Sequence, residues 1–246
     1  SFYGCSELIY VKIQSSSVKS IVNNYSFYDH SKLIEEENPI SMESIENHAF
    51  YGCSKLNQII IPSSIKSIGN HAFYGCKELN KIAILSKNIE IGEQAFEGCV
   101  SLEIEGNLEN IPNNSFKKCK TLTEITISSS VESIRNFAFY ECTKLTKIKI
   151  QSSLDTIGNF SFYKCIKLKE IEILSSIKVI GNCSFYGCSE LMHVKIPSSV
   201  ENIGDYAFYG CAKLTGIKIP SSINSIGSYV FYGCSSLTYI EIPSSV

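Results

Sequence analysis

The amino-acid sequence predicts a repeat solenoid of the α/β type with little helix: a curved stack of 23-residue coils whose short strands form a parallel sheet on the concave face. Three observations lead there. Phenylalanine recurs at Phe2, Phe27, Phe50, Phe73, Phe96, Phe116, Phe139, Phe162, Phe185, Phe208 and Phe231, with gaps of 25, then 23 three times, 20, and 23 five times. A fixed period of roughly 20 to 50 residues is the signature of stacked repeats. Between successive phenylalanines, Val and Ile stand two apart, the spacing of a strand with one buried face. Each coil also carries only about six apolar groups, too few to close a core alone, so neighbours must cover its open faces.

The unit Leu191–Leu214 shows a cause for each element. Leu191, Val194 and Ile196 form the strand. Pro197 lacks an N–H and follows the strand, where a ladder bond can be spared, and Ser198 and Ser199 are placed to bond nearby backbone groups as the chain turns. Val200 and Ile203 point back inside. Gly204 suits a bend or a positive φ, small Ala207 allows close approach, and Phe208 fills the wide side of the coil. The second inward isoleucine recurs at Ile21, Ile45, Ile68, Ile91, Ile111, Ile134, Ile157, Ile180, Ile203 and Ile226. At a strand spacing of about 4.8 Å, about eleven coils would extend about 50 Å.

Residues 1–246 therefore read as a single domain of about eleven coils, with both ends cut mid-repeat. Two coils depart from the pattern. Near 31–42, Leu33 is followed by Glu36 and Asn38 where Val or Ile should point inward, which predicts an irregular strand. Near 100–107 the phenylalanine gap falls to 20, Leu102 and Ile104 align with the second and third strand positions, and Asn107 stands at the turn. A three-residue deletion there predicts a kink or local twist. Each break reads either as a hinge or binding loop or as a drifted repeat tolerated by its neighbours.

Composition removes several classes of function. Lys and Arg number 22 against 24 Asp and Glu, a formal charge of −2, so there is no electrostatic footprint for nucleic acid and no polybasic membrane patch. No apolar run of about 18 residues is present to insert into a membrane. Catalysis has no foothold: there is no G-x-S-x-G elbow, phosphate-cradling loop or H-E-x-x-H, and the many serines are turn residues. No cofactor is expected.

The strand L-x-x-I-x-I-P, the bend S-S-V/I-x-x-I-G-x-x-A-F and the closing F-Y-G-C-x-x-L together resemble the BspA-type leucine-rich-repeat family over essentially the whole chain. That resemblance implies a curved leucine-rich-repeat solenoid. It also implies cell-surface display or secretion, adhesion to host or matrix proteins, and immune recognition. The rival reading is an intracellular scaffold or adaptor of the same fold, located in the cytoplasm.

Ten cysteines (Cys5, Cys53, Cys76, Cys99, Cys119, Cys142, Cys165, Cys188, Cys211 and Cys234) occupy one equivalent site per coil, and no C-x-x-C pair exists. Parallel stacking places neighbouring Cβ atoms about 5 Å apart rather than the roughly 3.5–4.5 Å of a disulfide, so buried free thiols are predicted. Free thiols favour a reducing interior. Cys183 lies outside the ladder and is the candidate for an exposed thiol. A tyrosine row (Tyr3, Tyr28, Tyr51, Tyr74, Tyr140, Tyr163, Tyr186, Tyr209, Tyr232), interrupted by Glu97 and Lys117, reads either as packing or as a sticky aromatic surface. His48 and His71 occupy equivalent sites in neighbouring coils and read as a solvated pair or as two ligands of a weak metal site.

Recognition is expected where the sequence varies while the frame stays fixed. The strand positions between the buried ones are Tyr10, Lys12, Lys81, Glu124, Lys147, Lys149, Glu170, Glu172, His193, Lys195, Lys218, Tyr239 and Glu241. Mixed charge with few aromatics suits a polar protein ligand or a glycan, and it also suits a face decorated only for solubility.

Overall fold

The computed structural model describes residues 2–12, 20–21, 43–150, 154–171 and 176–246. The irregular coil expected near 31–42 and the candidate Glu172 lie outside the described residues. The chain winds into a β-solenoid of coils about 23 residues long. Among the described residues the regular elements are all strands, arranged in two parallel rows joined by tight turns.

The main row begins with a six-stranded sheet of Tyr10–Lys12, Gln58–Ile61, Lys81–Ile84, Ser101–Gly106, Glu124–Ile127 and Lys147–Ile150. Glu170–Ile171, His193–Val194, Gly216–Lys218 and Tyr239–Glu241 continue it as a four-stranded sheet. The register sets equivalent residues side by side, as in Glu124 against Lys147 and Ile125 against Ile148. Side chains alternate across a strand, so in the described strands this register puts branched apolar residues inward and mostly polar ones outward, Ile60 and Ala83 excepted. The second row is built from two-residue strands centred on the recurring isoleucine, such as Thr156–Ile157 and Val179–Ile180.

The core is a set of columns running along the stack. Phe50, Phe73, Phe139, Phe162, Phe185 and Phe208 are fully buried. Their rings stack face to face, for example Phe162 on Phe185 with centroids 5.2 Å apart and planes within 5°. Cys53 and the ladder cysteines from Cys76 to Cys234 are buried free thiols. Several donate to a phenylalanine carbonyl of the preceding coil, as Cys142 Sγ does to Phe116 O at 2.9 Å. In several serine pairs the second serine bonds across coils: Ser199 Oγ donates to Ile177 O at 2.7 Å and Ser176 Oγ to Leu154 O at 2.7 Å.

Of the two roles open to Gly204, a bend or a positive φ, the structure excludes the second. Its φ is not positive; a Cβ there would lie 2.6 Å from Asn182 N and 2.8 Å from Gly181 C of the preceding coil. Close approach demands the glycine. Among the described residues the left-handed positions, Gly106 apart, lie two residues before and two after the stacked core phenylalanines. The earlier one is occupied by His48, His71, Gln94, Asn114, Phe137, Phe160, Cys183, Tyr206 and Tyr229, all with φ between 52° and 60°. The close approach also builds an asparagine ladder, in which Asn159 Oδ1 accepts from Asn182 N at 2.8 Å and Asn182 Oδ1 from Asp205 N at 2.9 Å.

Two joints break the uniform 23-residue step. Tyr10–Lys12 pairs directly with Gln58–Ile60 and Phe2 stacks on Phe50 at 4.9 Å, a step of 48 residues where the spacing predicted Phe27 as the neighbour. At the short coil, the six-residue strand Ser101–Gly106 has two registers. Glu103 faces Lys81 on one side, while Ser101 faces Glu124 on the other. This slip of two residues keeps the alternation of faces and leaves Leu102 and Ile104 buried, so the main sheet runs through the deletion intact. The rest of the joint does not. The second row divides between Glu90–Ile91 and Asn110–Ile111, and the planes of Phe96 and Phe116 open to 27°.

Candidate functional site

The main sheet face carries those of the predicted recognition residues that the structure describes, most of them beside a buried branched residue in sequence. Glu124 stands opposite Lys147, and Thr126 opposite Lys149. Glu170 stands opposite His193, which faces Gly216, which in turn faces Tyr239. Glu124, Lys147, Lys149, Glu170, His193, Lys195 and Lys218 are exposed. Tyr10 is 44% exposed and Tyr239 57%. Lys12 lies on its strand opposite Ile60. The structure thus brings these residues into two lines, along the first and third positions of the strands.

Several are not free charges. Lys81 pairs with Glu105 at 2.7 Å across the slipped register, and Lys218 pairs with Glu241 at 2.8 Å. Tyr239 donates its hydroxyl to Glu241 at 2.7 Å, which with Lys218 holds the Glu241 carboxyl below its ordinary range. The same contact raises the Tyr239 hydroxyl. Among the described residues, Lys147 and Lys149 enter no ion pair. They stand at the middle of the face. Exposed pairs of this kind contribute little stability, so their placement is available for recognition.

A second surface lies over the phenylalanine turn, away from the main row. Tyr140, Tyr163, Tyr186 and Tyr209 stack with centroids 4.6–4.8 Å apart. Beside them runs a column that the sequence reading recognised only at its histidines. His48 stacks on His71 at 5.1 Å, Phe137 on Phe160 at 5.0 Å, and Tyr206 on Tyr229 at 5.2 Å. Each leans on the tyrosine three residues later, as Phe137 does on Tyr140 at 5.8 Å. The signal was present, since this column repeats at the position two before each phenylalanine. Face-to-face stacking covers the ring faces and leaves edges and hydroxyls outward, so the row packs against itself and offers few open π-faces. The histidine rings are parallel within 2°, and no group of three or more potential metal ligands occurs among the described residues.

The gap in the tyrosine row at Glu97 and Lys117 is closed by polar contacts. Glu97 accepts the Lys120 N–H at 2.5 Å, and Lys117 reaches Glu93 at 2.6 Å. Burial raises the Glu97 carboxyl against that bond, while the Lys117 ammonium lowers the Glu93 carboxyl. Cys183, expected as an exposed thiol, is half-buried, and burial followed by the nearby Asp205 charge pushes its pKa up. It is a weaker nucleophile than an open cysteine.

The two strand rows, one strand of each per coil, with buried leucine, isoleucine and phenylalanine columns and a variable polar sheet face, define a leucine-rich-repeat solenoid. The model of the BspA type leucine rich repeat region matches residues 1–103, 100–182 and 156–246. The chain belongs to this family. Similar solved structures include a leucine-rich-repeat protein of T. pallidum, 25% identical with a TM-score of 0.48 over 94% of this chain and 78% of that one. Another is the pneumococcal vaccine antigen PcpA, 19% identical with a TM-score of 0.47 over 98% and 80%. A leucine-rich cell surface protein from Faecalibacterium prausnitzii is 20% identical with a TM-score of 0.36 over 94% and 87%. No significant match to a curated protein accompanies them.

Proposed function

We propose that the chain is a non-catalytic binding domain that recognises a protein or glycan through the main sheet face, in the setting of cell-surface display, secretion or adhesion. The observation that carries this reading is the contrast within each coil. Inward strand residues stay apolar, and are buried in the interior of the stack, while their outward neighbours change from lysine to glutamate, histidine, glycine and tyrosine from one coil to the next. A face kept only for solubility would need no particular order, whereas recognition over several coils does. Membership in the BspA-type family supports the surface setting.

The test is a simultaneous charge reversal of Lys147, Lys149, Glu170 and Glu172, with binding measured against a panel of matrix proteins and glycans. Loss of the ligand bound by the parent protein, at unchanged melting temperature, is the expected result. Unchanged affinity would move the site off this face. The row of unpaired buried thiols favours the second reading, an intracellular scaffold. Impermeant labelling of intact cells separates the two, since a scaffold would escape the reagent.

A further inference from the structure

The short coil opens a cleft on the second strand row, distinct from the main sheet face. In the regular stretch the N–H after each recurring isoleucine bonds to the previous isoleucine carbonyl, as Gly158 N does to Ile134 O at 2.8 Å and Gly181 N to Ile157 O at 2.9 Å. At the short coil Pro112 occupies this position and has no N–H to give. Glu93 stands where most coils have asparagine, so the asparagine ladder also stops. One end of the joint remains closed by Glu109 N on Lys87 O at 3.0 Å and by the Lys87–Glu109 ion pair at 2.9 Å. The other end gapes into a space of about 460 Å³.

That space has an unusual lining for this chain. Arg135, the sole arginine of the sequence, borders it from the position that glycine holds in most coils. Among the described residues its guanidinium enters no ion pair. Lys66 brings a second cation, held by Glu43 at 3.0 Å. Asn110 accepts from Ser133 Oγ with its side-chain oxygen, which leaves its amide N–H groups to donate. Asn88 and Glu90 add planar donors and acceptors, and Pro112 supplies an apolar wall.

We propose that this cleft binds an acidic sugar residue, a pyranose bearing a carboxylate, at the end or branch of a glycan. A guanidinium matches a carboxylate through two parallel hydrogen bonds. The asparagines and Glu90 suit a ring of hydroxyls, each both donor and acceptor, and the proline suits the C–H face of the ring. The cleft is closed at one end and its volume falls in the range of small-ligand sites, which fits one or two sugar units better than an extended peptide. This assignment is independent of the main-face reading, because none of these residues lies on that face.

The experiment titrates the chain with glucuronate and N-acetylneuraminate, with glucose, with acetate and with a short peptide ending in a free carboxylate, followed by ligand-observed NMR. The proposal expects saturable millimolar binding of at least one acidic sugar, and none of glucose or acetate. Arg135→Gly, which restores the residue of the regular coils, should weaken that binding by roughly tenfold or more, and Arg135→Lys by less. Thermal unfolding of both variants verifies that the fold persists. Acetate binding as tightly as the sugars, the peptide binding in their place, or Arg135→Gly binding like the parent would each overturn it, as would the absence of saturation by both acidic sugars.

Discussion

Two joints of the same stack, Phe162 to Phe185 and Phe96 to Phe116, differ in how much of the coil they connect. At the first, Phe160 N bonds to Asn182 O at 2.9 Å, Phe162 N to Ser184 O at 2.8 Å and Lys164 N to Tyr186 O at 2.7 Å, with the rings within 5° of parallel. At the second, the corresponding bonds from Gln94 and Phe96 are missing among the described residues, Gly98 N turns to Thr121 Oγ1 at 2.8 Å, and the rings open to 27°. A strand can slip by two residues and recover its pattern because its side chains alternate with that period. A turn has no such period, and each of its donors has one partner. Deleting three residues therefore spares the sheet and opens the turns.

The largest expected effect loads every joint together. Burial pushes Cys53 up to about 12 from an ordinary 9.0, and it also raises the thiols deeper in the stack, Cys99, Cys142 and Cys188, well above that ordinary value. Above pH about 9 the unfolded chain loses these protons while the folded chain keeps them, so each of these four thiols removes about 1.4 kcal/mol of stability per pH unit. Stability should be flat below that pH and collapse above it; urea midpoints at pH 8 and pH 10 read the difference, and equal midpoints would refute a protonated ladder.

Truncating a core ring separates the joints more sharply. Phe162→Ala should cost about 3–5 kcal/mol in urea denaturation, and Phe96→Ala measurably less, because its stack on Phe116 is already splayed. Equal costs would mean that the opened joint packs as well as a regular one. A smaller effect follows from the glycines: Gly204→Ala forces a methyl against Asn182 and should cost about 1–3 kcal/mol. Arg135→Gly beside the open joint should change stability by under about 1 kcal/mol. The finest probe is amide exchange, in which Gln94 and Phe96 should exchange ahead of Phe160 and Phe162; matched protection would show that the joint is closed in solution.

Much of this was legible in the repeat. The position of Phe162 in the period was enough to mark it as core, and the Val and Ile alternation marked the main-row strands. The candidates on the sheet face followed from the same alternation, since an outward residue is whatever stands beside an inward one. The role of Gly204, left open between a bend and a positive φ, was not decided by the sequence because a glycine looks the same whether it serves a positive φ or a close approach at a bend, and only the neighbouring coil's Asn182 distinguishes them. The aromatic column through Phe137 and Phe160 was periodic but mixed in residue type, which hid it. The cleft beside Arg135 was illegible for a further reason: its lining comes from Lys66, Glu90, Asn110 and Arg135, four successive coils whose joint depends on a bond that Pro112 cannot make.

By itself the sequence determined the coil, its inward columns and the thiol ladder, because burial in a stack of like units depends on period and residue type alone. The tertiary structure decided how coils meet: a two-residue slip at Ser101–Gly106, a direct contact of Phe2 with Phe50, an open turn at Phe96. These depend on which backbone donors find partners in a neighbouring coil, a competition between whole registers that no single repeat contains.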